Sequence, residues 1–255
     1  MTAASTASAQ WSAVRLRAVV AYTLRSCIGP KRWLGCLLPC AGALLFGLLS
    51  HAIDEPGSEA FAAVAAEGIF PLVVPIAALV LGDAVLGAEV RSGVFHFTWL
   101  TPTPLGLIVL GRWIGGFVAA VATVVPACAL AALVAGQPAA AVPAALGAAA
   151  GSAAYLAVFI AIGCVARRAA VWSLAFVFLV ERLLGTALSG IAQWSPMWES
   201  RAVYTDLADG IPDDLIREGI PVGSGAVVRL CLIAAIALAV SRWRLARLKL
   251  AGAAD

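Results

Sequence analysis

LGLIVLGRWIGGFVAAVATVVPACALAALVA, residues 105–135, carries a single charged side chain, Arg112, in 31 positions. A helix that crosses a bilayer needs roughly 20 predominantly apolar residues. This stretch is long enough to cross with tilt, or to include a turn in the cytosol. Outward from it the same composition recurs. The 255 residues are 62% hydrophobic and only 12% charged, with a mean hydropathy of +0.98. Soluble domains average about 45–50% apolar and about 25% charged residues. One soluble core cannot hide this much apolar surface, so disorder, a secreted disulfide scaffold and an ordinary soluble enzyme are excluded as readings of the whole chain.

Six spans are expected, at about 33–53, 69–88, 105–135, 142–166, 169–192 and 223–241. Residues 1–10 read as a loose polar tail. Trp11 to Ile28 suits a helix lying on the membrane surface, with Trp11, Tyr22 and Trp33 as anchors and Gly29-Pro30 as its break. Arg15, Arg17 and Arg25 interrupt this stretch, which is not the pattern of a signal peptide. The expected organisation is a cytosolic tail and interfacial helix over 1–32, a six-span domain over 33–241 and a basic tail over 242–255.

Orientation follows from the basic residues. With the N-terminus inside, the inner set is Arg15, Arg17, Arg25, Lys31, Arg32, Arg91, Arg112, Arg167, Arg168, Arg242, Arg244, Arg247 and Lys249. That is 13 of the 17 Lys and Arg, and it places both termini in the cytoplasm. The outer loops are acidic, with Asp54, Glu55, Glu59, Glu67, Glu199, Asp206, Asp209, Asp213, Asp214 and Glu218. The longest of them is the polar segment 193–222. Abundant alanine and only two lysines hint at a GC-rich bacterial genome, hence a bacterial plasma membrane.

Little in the chain suggests its own catalysis. No GxxxxGK[ST], HExxH or GxSxG occurs, and the two histidines, His51 and His96, fall on opposite sides of the membrane. The six cysteines, Cys27, Cys36, Cys40, Cys128, Cys164 and Cys231, form no CxxC pair and read as small hydrophobes. No basic module for nucleic acid separates from the spans.

Charges inside spans are functional-site hypotheses by default. Asp83 lies about 8 Å from the expected inner end of span two, where a helix-end charge is the simplest reading. Glu181 and Arg182 fall in the middle of span five. Glu181 and Arg229 each lie about 18 Å from the inner boundary, so they are expected to pair, as a lock between helices five and six or as a gate. Alternatively, span five is short and Glu181 belongs to a re-entrant hairpin near outer water. Gly111-xxx-Gly115 and Gly147-xxx-Gly151 are expected to pack helices within the subunit.

The segment DAVLGAEVRSGVFHFTWLTPTPLGLIVLGRW, residues 83–113, resembles the permease subunits of ABC-2 type ABC transporters. Glu89, Gly93, Leu100, Pro102, Gly111 and Arg112 fill that family's places, with Val94 where Thr is common and Arg112 for the commoner Lys. A surface helix, six spans and the Pro-containing outer loop Trp194-Ser195-Pro196-Met197-Trp198 extend the likeness along the chain. The resemblance implies an all-α integral membrane protein with a short cytosolic coupling helix between spans two and three. It implies an exporter subunit, not an enzyme, that dimerises with a second permease copy. ATP and Mg would reside on separate P-loop ATPase subunits, with no cofactor in this chain. Coupling to the motor would fall to Glu89, Arg91, Gly93 and Pro102, with Phe95, Phe97 and Trp99 as anchors. The mostly apolar interior suits hydrophobic or amphipathic cargo such as a drug, lipid or peptide. Composition alone also allows segment 89–104 to be a plain interfacial loop. An intramembrane enzyme and a non-transporting assembly subunit with a permease-like fold are the rival readings.

Overall fold

The structure, a computed structural model, describes residues 2–27, 33–53, 60–87, 89, 95, 100–101, 103–166 and 168–247. Every described element is helical. We number the principal helices α1 (Thr2–Cys27), α2 (Trp33–Ile53), α3 (Ala60–Leu86), α4 (Leu105–Val134), α5 (Pro138–Val165), α6 (Ala169–Ala187), α7 (Pro196–Leu207) and α8 (Ser224–Ala246).

Five of these, α3, α4, α5, α6 and α8, are long and apolar enough to cross a membrane. The chain is therefore a multi-pass membrane protein. Among the described residues five helices meet that length, and the described apolar stretch of α2, Leu37–Ile53, is shorter, so the expected sixth span is not among them. The expected boundaries also move. α1 is helical from Thr2, so the tail at 2–10 is no loose segment. α3 begins at Ala60, nine residues before the expected start, and so takes Glu67 into a helix. The fifth span stops at Ala187, short of the expected 192, because Leu188 is extended (φ −124°, ψ 110°). The last helix runs on to Ala246, beyond the expected 241.

α3 and α5 form the centre, with 72% and 61% of their most apolar windows buried, against 28% for α6 and α8. The outward faces of the peripheral helices are apolar. Val171, Trp172, Leu179 and Leu183 of α6 and Val228, Ile236 and Trp243 of α8 are all more than half exposed. Such a continuous apolar surface needs lipid or protein beside it.

Small residues let the helices meet. Gly111 and Gly115 of α4 lie against Val19 and Thr23 of α1, and Gly47 of α2 lies against the Ala131 carbonyl of α4. Gly147 and Gly151 of α5 receive Ser200 of α7. Both glycine pairs thus pack within the subunit, as their spacing predicts. Pro71 and Pro75 lie in α3, and the stretch Ala65–Val73 around the first is wound as a π-helix. Proline offers no N–H, so the regular ladder is already interrupted there.

Segment 193–222 departs from the expected outer loop and follows, in part, the alternative of a short fifth span with a re-entrant segment. It contains α7, whose residues Pro196 to Thr205 are all buried, packed against α5, α8 and α3. A polar segment therefore re-enters the bundle.

A side chain at Gly151 would place its Cβ 2.8 Å from the Ser200 Cβ and 3.3 Å from Val74. Gly151→Leu is expected to destabilise the protein by about 1–3 kcal/mol through overpacking. Gly190→Ala, with nothing within 4 Å of its added Cβ, should leave stability nearly unchanged. Thermal unfolding of both variants in detergent checks the contrast.

Candidate functional site

Two sets of buried polar contacts lie at different levels of the bundle. The first joins α1, the end of α3 and the start of α4. Arg112, on the second turn of α4, is 2% exposed and forks onto Glu89. Its Nη1 donates to Glu89 Oε1 at 3.0 Å and its Nη2 to Oε2 at 2.6 Å. Nη1 also donates to the Val85 carbonyl at 3.0 Å. The Tyr22 hydroxyl of α1 donates to Glu89 Oε1 at 3.0 Å, and the guanidinium lies 4.6 Å from the Tyr22 ring centre. A bidentate guanidinium–carboxylate contact fixes distance and angle together. Three chain segments are therefore held by one pair of charges.

Of the expected coupling residues, only Glu89 can be placed. Arg91, Gly93 and Pro102 lie outside the described residues, as do Phe97 and Trp99. Phe95 is buried.

The second set surrounds α7. Glu181, in a π-helical stretch of α6 (Phe176–Leu184), is fully buried. It accepts from the Tyr155 hydroxyl at 2.5 Å, from Ser195 Oγ at 2.6 Å and from the Met197 N–H at 3.1 Å. Ser195 is the N-cap of α7, and its Oγ accepts from the Trp198 N–H. Pro196 follows at the first helical position, where no N–H is needed. Glu181 thus closes the amino end of α7, where unpaired N–H groups and the helix dipole favour an anion.

The expected Glu181–Arg229 pair does not form. Arg229 instead donates to Glu199 Oε1 at 3.3 Å and to the Gln193 carbonyl at 3.4 Å. The reason lies in the boundaries. α8 extends to Ala246, which puts Arg229 about 26 Å from that end, not 18 Å. α7 also presents its own N–H groups and Ser195 to Glu181.

Arg182 is likewise no isolated intramembrane charge: it reaches Glu67 at 3.1 Å, beside Arg201 at 2.8 Å from the same carboxylate. Arg201 also donates to the Leu215 carbonyl. Two guanidiniums lie close to the Trp198 ring, Arg201 at 5.1 Å and Arg217 at 4.3 Å from its centre. Asp83 lies at the π-helical end of α3, half-buried. The described cysteines are all free thiols, and Cys231 is exposed. Among the described residues no group of three or more His, Cys, Asp or Glu comes together as a metal site.

Tyr155 has no place in the sequence expectations, and Tyr22 and Ser195 appear there as an interface anchor and as part of an outer loop, not as partners of Glu89 and Glu181. A serine followed by proline is a recognisable helix start, and Ser195-Pro196 offers that signal. Tyr155 lies in an apolar helix with no local mark of a partner, and Tyr22 lies in an Arg-bearing helix where nothing local points to Glu89. Compared with models of known protein families and with curated proteins, the chain matches none.

Glu181→Gln puts an amide among three donors, and is expected to cost about 1–3 kcal/mol and to loosen α7. Limited trypsin digestion reads this as new cleavage after Arg201, which is 6% exposed in the intact fold. A second expectation concerns pH. Burial pushes the Glu199 carboxyl up from 4.5 to about 7, against the opposing hydrogen bond and charge of Arg229. The folded chain therefore holds this proton where the unfolded chain has released it. Stability should fall as pH rises from about 4.5 to about 7. Glu199→Gln should flatten that part of a stability-against-pH curve.

Proposed function

We propose that this chain is the transmembrane permease subunit of an ATP-driven ABC-2 type exporter. Two permease copies would form the pathway, and two separate P-loop ATPase subunits, which hold ATP and Mg, would drive it. The observation that carries the reading is the Glu89–Arg112 fork capped by Tyr22. Glu89 opens the segment 89–102, where the resemblance places the motor contact. A force applied to that segment reaches Glu89 first. The fork passes it to α4, the Val85 carbonyl ties in α3, and Tyr22 ties in α1. Breaking a buried pair by removing one partner costs about 3–5 kcal/mol, so the three helices would move together in preference to slipping.

Charge placement supports cytoplasmic termini in a bacterial plasma membrane. Arg15, Arg17, Arg25, Arg112, Arg168, Arg242, Arg244 and Arg247 belong to the end of the bundle where α4 and α6 begin and α8 finishes. Asp206, Asp209, Asp213 and Glu218 belong to the opposite end. Positive charge on the cytoplasmic side is the usual bias. Arg91, Gly93 and Pro102 complete the proposed coupling segment. The apolar helices suit a hydrophobic or amphipathic cargo passing between the two copies.

A pull-down of the tagged chain in mild detergent, with mass spectrometry and an ATPase assay, tests this. A stoichiometric P-loop ATPase is expected, and it should be lost when residues 89–102 are scrambled in a protein that still inserts. Glu89→Ala should lower ATPase capture by about tenfold or more, because it strands Arg112. A folded chain that captures no ATPase would overturn the reading and leave the assembly-subunit and intramembrane-enzyme alternatives.

A further inference from the structure

About 40 Å from the Glu89–Arg112 joint, one length of α3 away, a cleft opens between three elements. The first turn of α3 contributes Phe61, the α4–α5 turn contributes Gln137, and the end of α7 with the turn after it contributes Tyr204 and Asp209. Its volume is about 120 Å³. At about 30 Å³ per water, this is room for about four waters. A drug-sized ligand, which needs about 300 Å³ or more, does not fit inside; a small head group does.

The chemistry of the walls is specific. Phe61 and several alanines supply apolar surface. Three polar residues, Asp209, Gln137 and Tyr204, are among those that line the space. Among the described residues none of these three side chains has a hydrogen-bond or ion-pair partner. Tyr204 is only 1% exposed, and its ring is fixed against Phe70 with centroids 5.3 Å apart. Buried hydroxyls ordinarily find partners. Burial also pushes the Tyr204 phenol up to about 12, so it keeps its proton near neutral pH. The Asp209-Gly210 turn depends on Gly210 at φ +68°, a conformation glycine adopts without strain.

Charge decides the ligand class. Among the described residues that line the cleft there is no Lys or Arg, and Asp209 is the one carboxylate. The helix dipoles oppose one another, since α3 and α5 begin at this end while α4 and α7 finish there. Of the basic side chains at this end, Arg182 and Arg201 hold Glu67, Arg217 holds the Thr186 carbonyl and the Trp198 ring, and the His51 imidazole lies beside Gly136. The cleft therefore offers one negative charge and three groups able to accept hydrogen bonds on an apolar floor. A protonated primary amine presents one positive charge and three N–H donors on an apolar stem.

We propose that this cleft binds the head group of a small primary ammonium ion, with Asp209 as counter-ion, Gln137 and Tyr204 as further acceptors, and Phe61 beneath the stem. The site does not depend on the ATP-driven reading, because its residues and its ligand lie at the other end of the bundle.

The test is calorimetric titration of the full chain in nanodiscs of zwitterionic lipid, with n-propylammonium chloride as probe. Propan-1-ol, tetramethylammonium chloride and empty discs serve as controls. Saturable one-to-one binding of n-propylammonium is expected, at about millimolar Kd or tighter, which four heavy atoms can support. Asp209→Asn, at an exposed position, should weaken it about tenfold or more. Tyr204→Phe keeps the ring and should weaken it by about two- to tenfold, with an unchanged unfolding midpoint as the check on folding. Three outcomes would overturn the proposal. They are no saturable heat with the unaltered chain, equal affinity in Asp209→Asn, and equal binding of propan-1-ol or tetramethylammonium.

Discussion

The carboxylate of Glu181 at the amino end of α7 is the contact on which the interior of this protein depends. α7 is a poor candidate for burial. It carries Glu199, Ser200, Arg201 and Thr205, all inside the bundle. Its amino end would bring unpaired N–H groups with it, and a buried unpaired donor costs about 1–3 kcal/mol. Glu181, Ser195 and Tyr155 remove that obstacle together. Glu181 itself is tolerable in the interior because three donors and a helix dipole surround it. Neither the helix end nor the carboxylate would be stable there alone.

Once α7 is seated, other features follow. Ser200 needs the bare backbone at Gly147 and Gly151, which makes α5 the central helix. Trp198 needs Gly185, where an added Cβ would lie 3.0 Å from the indole nitrogen. The break at Leu188 lets α6 end early enough for the chain to turn back. Arg229 and Arg201 then reach Glu199 and Glu67, so each charge carried in by α7 meets an opposite one. At the far end Arg112 and Glu89 work in the same way, tying a helix outside the apolar bundle to two within it. Each joint fixes helices that apolar packing alone would let slide.

Much of this was legible in the chain. The positions of α4, α5 and α8 follow from runs of apolar residues, and the glycine pairs announced close packing. Glu89 and Arg112 stand out in segment 83–113 as charges beside apolar spans, although nothing local marks their fork. Glu181 and Arg229 stay apart for a physical reason. Equal depth holds only for the assumed helix ends, and each residue of shift moves a side chain 1.5 Å and rotates it about 100°. Five further residues on α8 were enough to part them. Segment 193–222 has the composition of an outer loop, and the charge of Glu181 inside span five is what leaves a short span and a re-entrant hairpin open as the alternative. Only Ser195-Pro196 signalled a helix, and nothing local signalled its burial.

Taken by itself, the sequence determined that this is a helical, multi-pass membrane protein, where most of its apolar helices run and which end is basic. These are sums over neighbouring residues, and hydropathy and charge add locally. The tertiary structure decided the partner of every interior charge, the re-entry of α7 and the cleft beside Tyr204. Those depend on residues far apart in the chain: Tyr22 and Glu89 are 67 positions apart, Arg201 and Glu67 134. Such contacts are set by the rotation and depth of whole helices, which packing fixes and local composition does not encode.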